Sequence, residues 1–209
     1  MTEIKKLTEA EIEALKFLDR DFDQCFQQMR YYDAQIFDVL KFLFTAYSAL
    51  IGIALGLYQL KIREHIDLTL PSVAAIIVGL IIGLFMFALT VRNRVYYVQV
   101  ARYVNNQRDF FFKFKPLGFE NRTKMYTKHN QPPYFNWRSS QSILYVIIAC
   151  LNSILLGILL FMSCSQYVNR WIFVSIGLGI FFILQMTSAV WYLISRENKS
   201  ASKAVFGKE

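Results

Sequence analysis

The chain alternates between polar segments and long stretches without a charged side chain. Residues 42–60, 68–91, 139–169 and 171–195 hold no Asp, Glu, Lys, Arg or His and run for 19, 24, 31 and 25 residues. A helix needs roughly 20 apolar residues to cross a hydrocarbon core of ~30 Å, so each stretch is long enough to span a membrane. Lipid cannot satisfy backbone polar groups, which restricts a span to a helix or a closed barrel. Runs this continuous lack the alternation of barrel strands. The pattern predicts an all-α membrane protein with four transmembrane helices: spans at 42–60 and 70–91 in one hairpin (42–91), and at 142–165 and 171–195 in a second (139–195). The remaining segments are an N-terminal helix (1–41), a basic helix and loop (92–138) and a tail (196–209).

The polar segments carry their own periodicity. Thr8-Glu9-Ala10-Glu11 has the form of a capping box, with Leu7 and Ile12 placed for a hydrophobic staple. Apolar residues then recur at Leu15, Leu18, Phe22, Cys25, Met29, Tyr32, Ile36, Val39 and Leu43, spaced alternately by 3 and 4 as in a coiled-coil seam. With no Pro or Gly before Gly52, this helix is expected to run into the first span. From Thr8 to Lys41 it would reach about 50 Å beyond the membrane at ~1.5 Å per residue. After Val91 the chain continues without a breaker until Pro116 and Gly118. Helices 1 and 2 are therefore expected to extend into the cytoplasm as an antiparallel coiled-coil stalk. Its first strand holds nine acids, and 92–115 holds six bases against one acid. Arg94, Arg102 and Arg108 mark the basic face expected to meet the acidic one. Exposed ion pairs add only ~0.2–1 kcal/mol each, so the seam supplies the stability and charge sets partner and register. The stalk either pairs only with itself or presents a helical surface to other copies; the cluster Phe110, Phe111, Phe112 and Phe114, more than a thin hairpin can bury, is the feature that speaks for the second.

Charge fixes the expected orientation. Six Lys and Arg lie in 1–41, ten in 92–138 and four from Arg196 onward, against Lys61, Arg63 and Arg170 on the opposite side. The positive-inside rule puts both termini in the cytoplasm of a multi-pass inner-membrane protein. The first apolar run comes too late for a signal-peptide h-region. The net charge of +8 so concentrates on one face, which suits anionic lipid headgroups. No nucleic-acid-binding motif accompanies it, and no nucleic-acid partner is expected.

The spans themselves offer packing chemistry. Gly52 and Gly56 form GxxxG in the first, Gly79 and Gly83 in the second, and Ser153–Gly157 and Ser175–Gly179 are looser small-residue pairs. Such stripes let helices approach closely, within one bundle or between copies. Asn152, Gln166 and Gln185 are uncharged polar groups that serve either as interhelical hydrogen-bond partners or as the lining of a narrow pore. Intramembrane ionisable groups, which mark proton relays and coupled transport, are missing from all four spans, and this disfavours a small-molecule exporter.

Catalytic constellations are lacking. Cys25, Cys150 and Cys164 are scattered without metal or disulfide spacing. Arg122 and His129 stand at the Arg-x4–6-His spacing of HEPN-type ribonucleases, but Pro132-Pro133 breaks the helix such a pair needs. No phosphate loop, nucleophile elbow or paired carboxylate is present. Neither an enzyme nor a cofactor or metal is expected.

The cytoplasmic helix entering a span, the short outer hairpin and the Arg-rich helix leaving the second span (Arg92, Arg94, Arg102, Arg108) resemble SLATT-type modules over roughly residues 8–115. Those are small membrane effectors of bacterial nucleotide-signalling immunity. The resemblance implies an oligomerising effector that breaches the membrane in phage defence, triggered by a cytoplasmic sensor protein on another chain. Spans three and four depart from the two-span module. The alternative is a non-conducting scaffold that recruits a cytoplasmic partner.

Overall fold

A computed structural model describes residues 8–64, 68–113, 118–163 and 169–199. Among these residues it is all-helical: α1 Glu9–Glu64, α2 Thr69–Lys113, α3 Ser140–Ser163 and α4 Arg170–Lys199, all four long and apolar enough to cross a membrane. The chain divides into two compact units. The smaller takes Met1–Ala34, Val95–Pro133 and Ser200–Glu209, and the larger takes Gln35–Arg94 and Tyr134–Lys199.

Helix boundaries follow from local chemistry. At the start of α1 the Thr8 amide donates to the Glu11 carboxylate at 2.8 Å, and the Glu11 amide donates to Thr8 Oγ1 at 3.3 Å, closing the capping box. Leu7, the other half of the expected staple, lies outside the described residues. Pro71 is tolerated in the first turn of α2, where its missing N–H has no helical partner to lose. Helix α3 begins two residues before the expected span because Ser139 caps it, Oγ accepting from the Ser142 amide at 3.3 Å. Helix α4 runs on to Lys199, with Arg196 and Lys199 in its last turn, where cations favour the helix dipole.

In the smaller unit, α1 and α2 touch in antiparallel register. Tyr32 stacks on Tyr96 at 6.0 Å, and Asp21 accepts from Tyr103 Oη and Gln107 Nε2, both at 2.7 Å. Leu15, Leu18, Phe22, Met29 and Tyr32 are half-buried, while Val98, Ala101 and Val104 of α2 are buried. The larger unit has a core contributed by all four helices: Leu43 and Tyr47, Ile76 and Phe87, Tyr145, Ile148 and Leu155, and Met186, Ala189 and Leu193. Ile36 of the predicted seam is buried there too.

Candidate functional site

Three polar side chains from three helices meet in the core of the larger unit. The Tyr47 hydroxyl of α1 donates to Asn152 Oδ1 of α3. Asn152 Nδ2 donates to Gln185 Oε1 of α4 at 2.7 Å, and Gln185 Nε2 reaches the carbonyls of Phe181 at 3.4 Å and Ala149 at 3.5 Å. All three residues are buried, Asn152 completely. The relay ends on backbone oxygen, so each side chain is satisfied, as a buried polar group must be to avoid a desolvation penalty.

Helix α2 contributes the space. A Cβ at Gly83 would collide with the Tyr47 hydroxyl and Asn152 Oδ1, and would stand 2.9 Å from Tyr47 Cζ. Glycine at 83 is thus what lets the tyrosine tip reach its acceptor. Gly79, one turn earlier, lies against Leu50 and Leu155, whose Cδ1 atoms would be 3.1 and 3.3 Å from an added Cβ. Between α3 and α4, Gly157 faces Leu178 and Gly177 faces Leu160.

The first-span glycines have a different setting. Gly52 and Gly56 have nothing within 4 Å of an added Cβ. They belong to an exposed stripe of α1 comprising Thr45, Ser48, Ala49, Gly52, Gly56 and Gln59. Large side chains flank this stripe on α1, among them Phe42, Ile53 and Leu55, and α4 exposes large side chains too, with Trp171, Ile176, Ile180, Ile183 and Trp191 all more than half exposed. Bulky aliphatic and aromatic side chains suit lipid. A stripe of small and hydroxylated residues suits another helix.

The arginines expected to form a basic stalk face have specific partners. Arg94 is buried and donates Nε to the Tyr134 carbonyl at 3.0 Å, while the Tyr134 amide donates to Glu197 at 2.9 Å. Arg102, also buried, donates to the Pro132 carbonyl at 3.1 Å, and Asn105 Nδ2 reaches the carbonyls of Gln131 at 2.7 Å and Lys128 at 3.2 Å. These side chains of α2 hold the irregular segment that follows it. Arg108 stands over aromatic rings, 5.5 Å from the centroid of Phe22, 5.7 Å from Phe26 and 5.5 Å from Tyr126. Asp21 is an acid on α1 that meets α2, and the two donors it receives there, Tyr103 and Gln107, are neutral. The hydrogen bond to Asp21 pushes the Tyr103 hydroxyl above its ordinary pKa of 10.0, with burial and the Asp21 charge adding to the effect. Burial, followed by the nearby Asp21 charge, likewise raises the Cys25 thiol, which favours its protonated form.

Of the predicted polar span residues, Asn152 and Gln185 are brought together and Gln166 lies outside the described residues. Sequence reasoning missed Tyr47, Gly177 and the Asp21–Tyr103–Gln107 joint. Tyr47 is one of two tyrosines in the charge-free run 42–60 and the one farther from its ends, which was the available signal for the first. No protein-family model, curated protein or solved structure matches the chain.

Proposed function

We propose that the chain is an oligomerising inner-membrane protein whose four helices cross the bilayer, with both termini in the cytoplasm, and that it acts by self-assembly as a membrane-perturbing effector. The observation that carries this reading is the outward stripe of α1. Thr45, Ser48, Ala49, Gly52, Gly56 and Gln59 are exposed in the single chain, and an added Cβ at either glycine meets open space. A second helix could approach closely there, with hydroxyl and amide groups available for interhelical hydrogen bonds. The cytoplasmic parts of α1 and α2 would pair as a coiled-coil arm. The phage-defence role in bacteria is what the resemblance to SLATT-type effectors implies, and a cytoplasmic sensor protein would supply the trigger.

The geometry also narrows the mechanism. Asn152 and Gln185 are engaged with one another and with Tyr47 inside each chain, so recruiting them to a conduit would dismantle the core. Thr45, Ser48 and Gln59 are the polar groups positioned to line one between copies.

The test is graded expression in bacteria with a potential-sensitive dye, together with particle mass in nanodiscs, for the natural chain and the double variant Gly52→Leu, Gly56→Leu. The natural chain should assemble and collapse the potential, and the variant should do neither. A monomeric natural chain, or a variant that assembles as well, would refute the reading.

A scaffold is the second reading. It is favoured by Phe17, Tyr31, Phe110 and Phe119, large side chains that lie exposed on the smaller unit and could seat a cytoplasmic protein. Co-purification of a stoichiometric second polypeptide, with the membrane potential intact, would favour it.

A further inference from the structure

The smaller unit contains a cavity of about 550 Å³ between α1, α2 and the segment that follows α2. Ligand pockets of this kind measure roughly 300–1,000 Å³. Phe26, Tyr97 and Tyr126 give it flat walls, and Arg108, Lys124 and Lys128 give it positive charge; no acid lines it.

Charge without a counter-charge is the informative feature. Arg108 is half-buried among three rings, yet among the described residues it makes no hydrogen bond or ion pair. Three rings surround its guanidinium while its N–H groups remain unspent, which leaves them available for bidentate contact with an anion. Lys124 and Lys128 likewise have no carboxylate partner among the described residues. The backbone supports the same wall. Lys124 and Tyr126 adopt φ of 49° and 54°, the left-handed region that side chains avoid. Asn121 holds them there, its Oδ1 accepting from the Met125 amide at 3.2 Å and its Nδ2 donating to the Met125 carbonyl at 2.9 Å. Strain of this kind persists where surrounding structure enforces it, and it tends to gather at ligand sites.

We propose that this cavity binds a small phosphate-bearing anion with a flat unsaturated ring. The ring stacks against Tyr126 and Phe26, and the phosphate is held by Arg108, Lys124 and Lys128. This inference is independent of self-assembly and requires only the smaller unit's fold.

Titration calorimetry on the full chain in nanodiscs tests it, with adenosine 5′-monophosphate as probe and ribose 5-phosphate and adenosine as its two halves. The monophosphate should bind saturably, and each half should bind about tenfold more weakly, as expected for loss of a charge-assisted contact or of a stacked ring. Arg108→Gln should weaken the monophosphate about tenfold. Tyr126→Leu should weaken it while leaving ribose 5-phosphate unchanged. Lys128→Gln alters an exposed side chain and cannot act through misfolding, so it should weaken both phosphates. Absence of saturable binding at millimolar monophosphate would overturn the proposal. So would adenosine binding as tightly as the monophosphate, or indifference to Lys128→Gln.

Discussion

Replacing Gly83 by alanine puts one methyl group where the structure has no room for it. The added carbon would collide with the Tyr47 hydroxyl and Asn152 Oδ1 and stand 2.9 Å from Tyr47 Cζ. Tyr47 is buried in close-packed surroundings, so its ring cannot retreat without moving neighbours. Forcing an extra methyl into such a site costs about 1–3 kcal/mol. Displacing the tyrosine also breaks its bond to Asn152, and interhelical hydrogen bonds in membranes average ~0.6 kcal/mol with a maximum near 1.7. Against this, alanine gains about 0.8–1 kcal/mol of helix propensity over glycine. The net expectation is a loss of about 1–3 kcal/mol. Gly52→Ala and Gly56→Ala are internal controls: nothing lies within 4 Å of either added carbon, so in the monomer only the propensity gain remains. Reversible unfolding in mixed micelles, at a dilution that keeps the chain monomeric, measures all three. Tyr47→Phe in the Gly83→Ala background should recover part of the loss, because the hydroxyl is one of the colliding atoms. A Gly83→Ala chain as stable as the natural one would refute the packing argument, as would a loss that Tyr47→Phe does not change.

Two tyrosines in the same core should behave oppositely. Tyr47→Phe removes the donor to Asn152 and should destabilise by about 0.6–1.7 kcal/mol. The Tyr145 hydroxyl is buried without a hydrogen-bond partner among the described residues, so Tyr145→Phe should be neutral or stabilising by the same unfolding assay. At the Asp21 joint the folded pKa of Tyr103 is raised above 10.0. Its contribution is therefore fully present below pH 10 and fades as pH rises through the raised value, when the phenolate loses its proton and faces a carboxylate. Melting temperature against pH should show an alkaline decline that Tyr103→Phe flattens. Arg102→Met leaves the Pro132 carbonyl without that donor at a cost of about 1–3 kcal/mol. Hydrogen exchange should then rise across the described part of 118–133 while the core of α3 and α4 stays protected.

What could be read from the sequence was local, and what could not was a matter of phase. Charge-free length and a capping box are decided within a few residues, so the four helices and the start of α1 were legible. The two GxxxG motifs are alike as strings, yet Gly79 and Gly83 pack inward while Gly52 and Gly56 face out. The difference lies in how each helix is rotated within the bundle, and that is set by the other three helices. For the same reason Asn152 and Gln185 could be named but their meeting point with Tyr47 could not, since residues 105 and 33 positions apart must arrive in one plane.

The arginines show a second limit, in which the arithmetic of charge conceals the demand of the backbone. Six bases in residues 92–115 beside nine acids in residues 1–41 suggest ion pairing. Yet an exposed pair contributes ~0.2–1 kcal/mol, whereas a buried carbonyl left without a donor costs ~1–3 kcal/mol. The segment after α2 includes Pro132 and Pro133, which offer no N–H and cannot join a regular ladder, so its carbonyls must find donors elsewhere. Arg94, Arg102 and Asn105 meet that need at Tyr134, Pro132, Gln131 and Lys128. The larger penalty decides where the buried arginines point. Arg108, which answers no carbonyl among the described residues, is the one left in its ring of aromatics with its hydrogen bonds unspent.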